Sequence, residues 1–350
     1  MRGQKVLVGM SGGVDSSVAA YLLMNAGYDT AGVTLSLYSG EKCGSLQDVK
    51  DAADICSRLG IEHHVLDLKE QFKSAVIDKF ISEYQSGNTP NPCIECNRNI
   101  KFGEMLEFAA GMGYDKIATG HYAVVKKQGD RFVIAKPKDI SKDQTYVLYT
   151  LSQYQLSHTV MPLGDITKAE VRLLAEENGF VTAHKSDSQD ICFVPDGDYT
   201  KFISEYKGIT FPEGDYVDIS GNVIGRHKGM IRYTVGQRKG LGMGFGKPMY
   251  VLDKSPEENK VILGDEEGLF RKRVLVKDVN FVALESLKTP LKCLGKLRYR
   301  HNEQPCTLIP LDENTLLAEF DEPQRAPTSG QSAVFYDGDT VICGGGIAKE

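Results

Sequence analysis

No apolar run in the 350 residues approaches the ~20 that a membrane span needs. Nothing in the sequence looks like collagen, a coiled coil or a repeat array. The opening stretch, MRGQKVLVGMSGGVDSS, lacks the apolar segment and cleavage site of a secretory signal, because Gly, Ser and Asp interrupt it. Cysteine is sparse too. Eight in 350 residues are too few for a disulfide scaffold, so a cytoplasmic, reducing location with free thiols is expected. The close pair Cys93/Cys96 then points to chemistry or metal rather than to a structural cross-link. What is present is an ordinary globular mixture, 41% hydrophobic and 25% charged. At roughly 100–200 residues per domain, the length suggests two or three domains.

The net charge of −6 argues against a general nucleic-acid binder, but it hides an asymmetry. Between Arg226 and Arg300 there are 17 Lys/Arg against 8 Asp/Glu, a net of +9; the remainder carries 24 against 39, or −15. A basic region on an acidic protein attracts polyanions locally. A solvated basic face is the alternative, and charge alone leaves both open.

Periodicity divides the chain. Lys5–Gly9 (KVLVG) is a short apolar run ending at glycine, which predicts a buried strand. Ser11–Ser16 (SGGVDS) follows, then a helical pattern that ends near Gly27. Strands are expected at Thr30–Leu37, Glu62–Leu68 and Lys116–Thr119. Helices are expected at Val49–Leu59, stopped by Gly60, and at Phe72–Tyr84 and Ile100–Gly111. Such alternation predicts an α/β domain with a parallel sheet and helices on both faces. A helical segment at Lys168–Gly179 closes it near residue 195. From Pro212 onward short strands alternate with Gly, Pro and Asn turns, Ser220-Gly221-Asn222 being a hairpin candidate. The expected division is a catalytic α/β domain at 1–195, a small, mostly β central domain at 196–267 and a C-terminal β-barrel at 268–350. A sandwich is the open alternative to the barrel.

The strongest chemical signal is Ser11-Gly12-Gly13-Val14-Asp15-Ser16-Ser17, between a strand and a helix. Glycines let the backbone turn tightly and bring N–H groups to an anion. The helix N-terminus adds donors and its positive end. Asp15 makes sense if it holds a Mg²⁺ that bridges phosphates. No lysine follows the glycines, so this is not a Walker A loop; a plain capped helix start is the bland alternative. The residues resemble the PP-loop (SGGxDS) of ATP pyrophosphatases, which release pyrophosphate from ATP and leave an adenylated intermediate. That resemblance implies an adenine nucleotide alpha hydrolase-like fold.

Further stretches narrow the choice: Thr89-Pro90-Asn91-Pro92-Cys93-Ile94-Glu95-Cys96-Asn97, Ala118-Thr119-Gly120-His121-Tyr122, Lys142-Asp143-Gln144-Thr145-Tyr146 and Asp187-Ser188-Gln189-Asp190-Ile191-Cys192-Phe193. The C-terminal half adds Gly236-Gln237-Arg238-Lys239-Gly240, Arg298-Tyr299-Arg300 and Ser329-Gly330-Gln331-Ser332. In this order, over almost the whole chain, they resemble the bacterial tRNA-specific 2-thiouridylase (MnmA) family. The family replaces the 2-oxygen of the wobble uridine (position 34) of certain tRNAs with sulfur. Adenylation turns the pyrimidine carbonyl oxygen into a good leaving group, and a sulfur nucleophile then attacks carbon 2.

The resemblance implies Cys96 as catalytic nucleophile and Cys192 as persulfide carrier, joined in a transient disulfide. It places ATP, with Mg²⁺, on Gly9, Met10, Ser11, Gly12, Gly13, Val14, Asp15 and Ser16, with Leu35 and Gly120 lining the adenosine site. Asn91, Pro92 and Cys93 would surround a target base flipped out of the anticodon loop. His121, Lys142, Asp143, Gln144, Arg298, Tyr299 and Gln331 would grip the tRNA, its anticodon stem-loop above all, with Gln237-Arg238-Lys239-Gly240 as a lesser candidate. Sulfur would come from a cysteine desulfurase or a relay protein, and the chain would act as a monomer, with no membrane partner.

One position departs from the usual family motif, which has aspartate three residues before the nucleophile. Here it is Cys93. Three thiols invite a second reading: Cys93, Cys96 and Cys192 could ligate a [4Fe–4S] cluster with one iron open. Zinc would need a fourth ligand, for which His121 is the candidate. His63-His64 reads as a strand pair with no ligand spacing, and Cys43, Cys56, Cys293, Cys306 and Cys343 as packing residues. Another PP-loop synthetase, or an RNA-binding protein with a vestigial ATP loop, are the competing functions.

Overall fold

The computed structural model describes residues 3–38, 45–183, 185, 191–194 and 196–349. Cys43 and Asp187-Ser188-Gln189-Asp190 lie outside them. Strand β1 (Lys5–Gly9) has Val6, Leu7 and Val8 fully buried. A run apolar on both sides suits a strand covered on both faces. It pairs in parallel with β2 (Asp29–Ser36), which pairs with β3 (His63–Asp67), and on its other side with β4 (Lys116–Ala118). Next in the chain, β5 (Val124–Gln128) and β6 (Arg131–Ala135) form an antiparallel hairpin outside this sheet. The short β7 (Thr159–Val160) completes the order β3-β2-β1-β4-β7, parallel throughout.

The helices are α1 (Val14–Asn25), α2 (Leu46–Leu59), α3 (residues 69–85), α4 (residues 92–111), α5 (Gln153–Ser157) and α6 (Lys168–Glu177). Alternation along β1 sends Leu7 into a core with Phe102, Met105 and Ile117, and Val6 and Val8 into another with α1 and α2. α2 starts at a capping box of Ser45 and Asp48 and stops at Gly60, whose φ of +68° only glycine adopts cheaply. α4 begins earlier than its periodicity predicts. Asn91 caps it by accepting from the Cys93 N–H at 3.1 Å, Pro92 takes the first turn, and Cys96–Glu104 is wound as a π-helix.

Where a mostly β region was expected from residue 196, the chain first forms α7 (Tyr199–Lys207). Asp198 caps it through the Lys201 N–H, and Phe202 and Ile203 bury against Phe193. Four strands follow: β8 (Gly214–Val217), β9 (Val223–His227), β10 (Tyr250–Ser255) and β11 (Lys260–Gly264), ordered β10-β11-β8-β9. The expected turn at Ser220-Gly221-Asn222 joins β8 to β9, with the Asp218 carboxylate accepting from Asn222.

The last unit is a barrel and not a sandwich. Its strands are β12 (Phe270–Phe281), β13 (Leu291–Lys296), β14 (Gln304–Pro310), β15 (Leu316–Arg325), β16 (Ser332–Asp337) and β17 (Thr340–Ile347). They run β12-β15-β14-β13-β16-β17, and β12 pairs with β17 to close the ring. Leu308, Ala318, Phe320 and Phe335 fill it. The β5–β6 hairpin is added to the barrel, with Ala135 beside Thr340 and Arg131 donating to the carbonyls of Phe281 (2.8 Å) and Val282 (3.0 Å). Among the described residues no helix is long and apolar enough to cross a membrane.

Candidate active site

The Ser11–Ser17 loop links the carboxyl end of β1 to α1, in the crevice where open parallel sheets bind ligands. Met10 donates its N–H to the Val33 carbonyl at 2.7 Å, which fixes the loop against β2. Gly12 has a φ of +67°, and a Cβ there would meet the Asp48 backbone at 2.8 Å. Gly120, at the end of β4, presses on the start of α1: its Cβ would lie 2.9 Å from the Asp15 carbonyl carbon and the Ser16 nitrogen. Both glycines are therefore demanded by close backbone approach. Ser16 Oγ accepts from the Ser11 N–H (3.2 Å) and donates to the Gly13 carbonyl, holding the turn open around its N–H groups. Gly9, Met10, Leu35 and Gly120 all lie at or just beyond strand ends on this edge.

Asp15 is already engaged. Lys168, at the start of α6, donates to both of its carboxylate oxygens at 2.8 Å, and the Tyr122 hydroxyl donates to Oδ1 at 2.7 Å. Tyr122 and Gln144 in turn exchange two hydrogen bonds, Tyr122 N–H to Gln144 Oε1 and Gln144 N–H to the Tyr122 carbonyl. A continuous polar track thus runs from the nucleotide loop to the Lys142-Asp143-Gln144 segment.

The thiols approach the far end of this track, where Cys93 and Asp143 both act on the Tyr299 hydroxyl. Cys93 is exposed on the first turn of α4, and Cys96 one turn later is buried. Cys192 is half-buried, held by the neighbouring Phe193, whose ring packs on Phe72, Phe80 and Phe202. Cys96, Cys192 and Phe193 share one apolar cluster with Leu37 and Ile100. Burial pushes the Cys96 thiol up to about 12; the Lys101 ammonium opposes that, while Cys192 and Cys93 add to it. Cys93 reaches solvent at its surface, yet the protein crowded around it desolvates its sulfur and raises its thiol too, with Lys101 again opposing and Cys192 adding. Cys93 and Cys96 therefore each feel Cys192 and a single cation, Lys101. Even so, no group of three His, Cys, Asp or Glu among the described residues is placed to hold a metal ion.

The barrel meets this region directly. Gln331 Nε2 donates to the Thr89 carbonyl at 2.6 Å, and the Thr89 N–H donates to Ser329. Gly330 lies so close to Asn88 that a Cβ would approach to 2.8 Å. Tyr299 packs its ring on Tyr146, and its hydroxyl is raised first by burial and then by Asp143 and Cys93. Lys296 reaches Asp143 at 3.8 Å and lies over the Tyr299 ring. Two nominated residues are less open than their expected role. His121 is buried between Thr119 and Phe102 and held far below the usual histidine range by burial and by Lys101. Arg298 is half-buried, its guanidinium donating to Val235, Ala326 and Thr328. A groove of about 810 Å³ lined by Arg98, Phe102, Glu107 and Thr150 contains none of the nominated residues.

Three family models match in sequence. They are described as a tRNA methyl transferase HUP domain (residues 4–196), a tRNA methyl transferase PRC-barrel domain (200–265) and an aminomethyltransferase beta-barrel domain (271–347). A tRNA-specific 2-thiouridylase MnmA of Clostridioides difficile (strain 630) is 48% identical over 355 aligned residues, covering 99% of this chain and 98% of that protein. The chain belongs to the tRNA-specific 2-thiouridylase family. A second 2-thiouridylase, from Clostridium kluyveri, is 48% identical over 98% of this chain and 99% of its own length. Among solved structures the likeness is partial: the U34-tRNA thiolase NcsA of Methanococcus maripaludis, with its [4Fe-4S] cluster, is 21% identical with a TM-score of 0.37. It covers 59% of this chain and 65% of that one.

In this 2-thiouridylase family member, sequence reasoning passed over three lysines. Lys168 pairs with a residue 153 positions away. Lys185 donates to the Gly12 carbonyl (3.0 Å), Asp48 (2.9 Å) and Asp51 (3.1 Å), tying the chain ahead of Cys192 to the nucleotide loop. Lys101 supplies the charge that the thiols feel. The Thr167-x-x-Glu170 capping signal could have located the start of α6, but nothing local names Asp15 as the partner of Lys168.

Proposed function

We propose that this protein carries out ATP-dependent 2-thiolation of the wobble uridine of tRNA, with AMP and pyrophosphate as products. One observation supports the thiol chemistry above all. Cys96 and Cys192, 96 residues apart in the chain, pack in one apolar cluster, where Cys192 acts electrostatically on the Cys96 thiol. The N–H groups around Gly12 and Gly13, with Ser11 and Ser16, cradle the triphosphate; Mg²⁺ accompanies it, and Asp15 is the carboxylate at hand, shared with Lys168. The uracil 2-oxygen attacks the α-phosphorus and pyrophosphate leaves, so the carbon 2 oxygen becomes part of an AMP leaving group. Cys96 attacks the Cys192 persulfide, a Cys96–Cys192 disulfide forms, and the released sulfide displaces AMP from carbon 2. An external reductant then returns both thiols.

In this reading the flipped base sits at Asn91, Pro92 and Cys93. The exposed Tyr299, with Lys142, Asp143, Gln144 and Gln331, lines the approach from the barrel side. His121 and Arg298 act by shaping that surface from within. A cysteine desulfurase or relay protein loads Cys192 in the cytoplasm, and the chain works as a monomer. A division at 1–195, 196–267 and 268–350 is supported by the three matched segments. The test is Cys192→Ser. It should still release pyrophosphate in the presence of tRNA, yet leave the RNA without the gain of about 16 Da that exchange of oxygen for sulfur brings. Efficient thiolation by that variant from a protein-bound donor would refute the assignment.

A further inference from the structure

The barrel holds three thiols that the chemistry above does not use: Cys293 on β13, Cys306 on β14 and Cys343 on β17. Two of them face each other. Cys293 and Cys306 are directly opposed in the antiparallel β13–β14 ladder, with their sulfurs 3.6 Å apart. Opposed residues in such a ladder have Cα atoms about 4.5–5.5 Å apart, inside the ~4.4–6.8 Å range of a disulfide. Side-chain torsion alone can therefore bring the sulfurs to bonding distance. The strands bracket the turn 297–303, which carries Arg298 and Tyr299.

We propose that Cys293 and Cys306 form a reversible cross-strand disulfide, a modification site for hydroperoxides that staples the hairpin carrying Arg298 and Tyr299. The pair's chemistry stands whether or not that turn meets RNA. The two sulfurs have different surroundings. Cys306 is buried, and its hydrogen bond with Cys293 together with burial pushes its thiol far above the ordinary range; burial does the same to Cys343. Cys293 is only half-buried, so it is the sulfur an oxidant reaches. Peroxide takes the first step there, giving the Cys293 sulfenic acid and one water. Cys306 then attacks that sulfur, the S–S bond forms and a second water leaves. Two thiols lose two electrons and one hydroperoxide gains them, so the step balances without a metal.

The experiment uses the full chain carrying Cys93→Ser, Cys96→Ser and Cys192→Ser, which removes the thiols of the reaction site. Treated with hydrogen peroxide, it should lose about 2 Da and regain them with dithiothreitol; blocked with an alkylating agent while oxidised, it should carry two labels fewer than the untreated chain and yield a peptide joining 293 with 306. The oxidised form should also melt several degrees higher than the reduced one, as expected for a closed loop in the unfolded chain. Adding Cys293→Ser should abolish the mass loss. The proposal is overturned if Cys293 is carried on to a sulfinic acid while Cys306 stays alkylatable, if Cys306 links to Cys343 instead, or if both thiols survive peroxide unchanged. The parent measurement needs no substitution in the barrel, so a variant that fails to fold cannot decide the matter.

Discussion

Cys96 is packed among Leu37, Ile100 and Phe193, and a thiol pushed up to about 12 is almost wholly protonated at neutral pH. Its reactivity must therefore depend on whatever favours the thiolate, and the cation that acts on it is Lys101. Replacing Lys101 by Gln removes that opposition, so the thiols of Cys93 and Cys96 should rise further. Alkylation of both by iodoacetamide, followed peptide by peptide, should slow by about threefold to tenfold, since one unit of pKa is a tenfold change in thiolate. Lys101→Arg should retain the rate. In the unaltered protein the Cys96 rate should climb with pH through 10 with no plateau; a plateau near 8, or unchanged rates in Lys101→Gln, would remove Lys101 from this role. Ser11–Ser17 was legible in the sequence because a loop between a strand and a helix is a local event. Lys101 lay in plain view after the cysteines, but its charge gained meaning only when the π-wound α4 turned it toward them.

α6 shows how an element positions a side chain that it does not itself need. Thr167 accepts from the Glu170 N–H, and Glu170 accepts from the Thr167 N–H at 2.6 Å, so the helix starts at Lys168 and aims its ammonium at Asp15. Thr167→Ala should cost about 1 kcal/mol of stability in a denaturant titration. It should also weaken ATP binding more than it lowers stability, because Lys168 loses its fixed origin; unaltered ATP affinity would make the cap merely structural. The Thr167 N–H, Lys138 and the Thr167 hydroxyl hold the Glu170 carboxyl down to about 2. What this carboxylate contributes is complete above its ordinary 4.5 and is lost as pH falls through about 2. In Glu170→Gln the acid unfolding curve should be flatter over that window. β1 to β4 and most helices of this domain could be read from apolar runs and their glycine stops, whereas the β5–β6 hairpin and the two-residue β7 could not. α7 could not, since only the Asp198 cap and three buried residues, Thr200, Phe202 and Ile203, set it apart from the β region that follows.

Across the whole molecule the parts are tied by contacts that no local pattern announces. The β5–β6 hairpin leaves its own sheet to join the barrel, and Arg131 reaches carbonyls about 150 positions away. Arg298 spans from Val235 to Thr328, and Gln331 fastens the barrel to the segment ahead of Cys93. Sequence could suggest β-strands there, but closure depends on β12 meeting β17, a pairing set by geometry over more than 60 residues. These ties place a segment of net +9 beside an N-terminal domain whose residues 1–195 are only mildly acidic, 20 Lys/Arg against 24 Asp/Glu. If that segment faces RNA, binding releases counterions in proportion to the phosphates it neutralises, whereas ATP sits in a small cradle of backbone N–H groups. Raising salt from about 50 to 200 mM should then weaken tRNA binding on the order of 50-fold, for about four phosphate contacts, and ATP binding only slightly. Lys-to-Gln changes at Lys292 and Lys296 on β13 should lower that salt slope without touching ATP affinity. Parallel slopes for the two ligands in a filter-binding titration would move the RNA to another face of the protein.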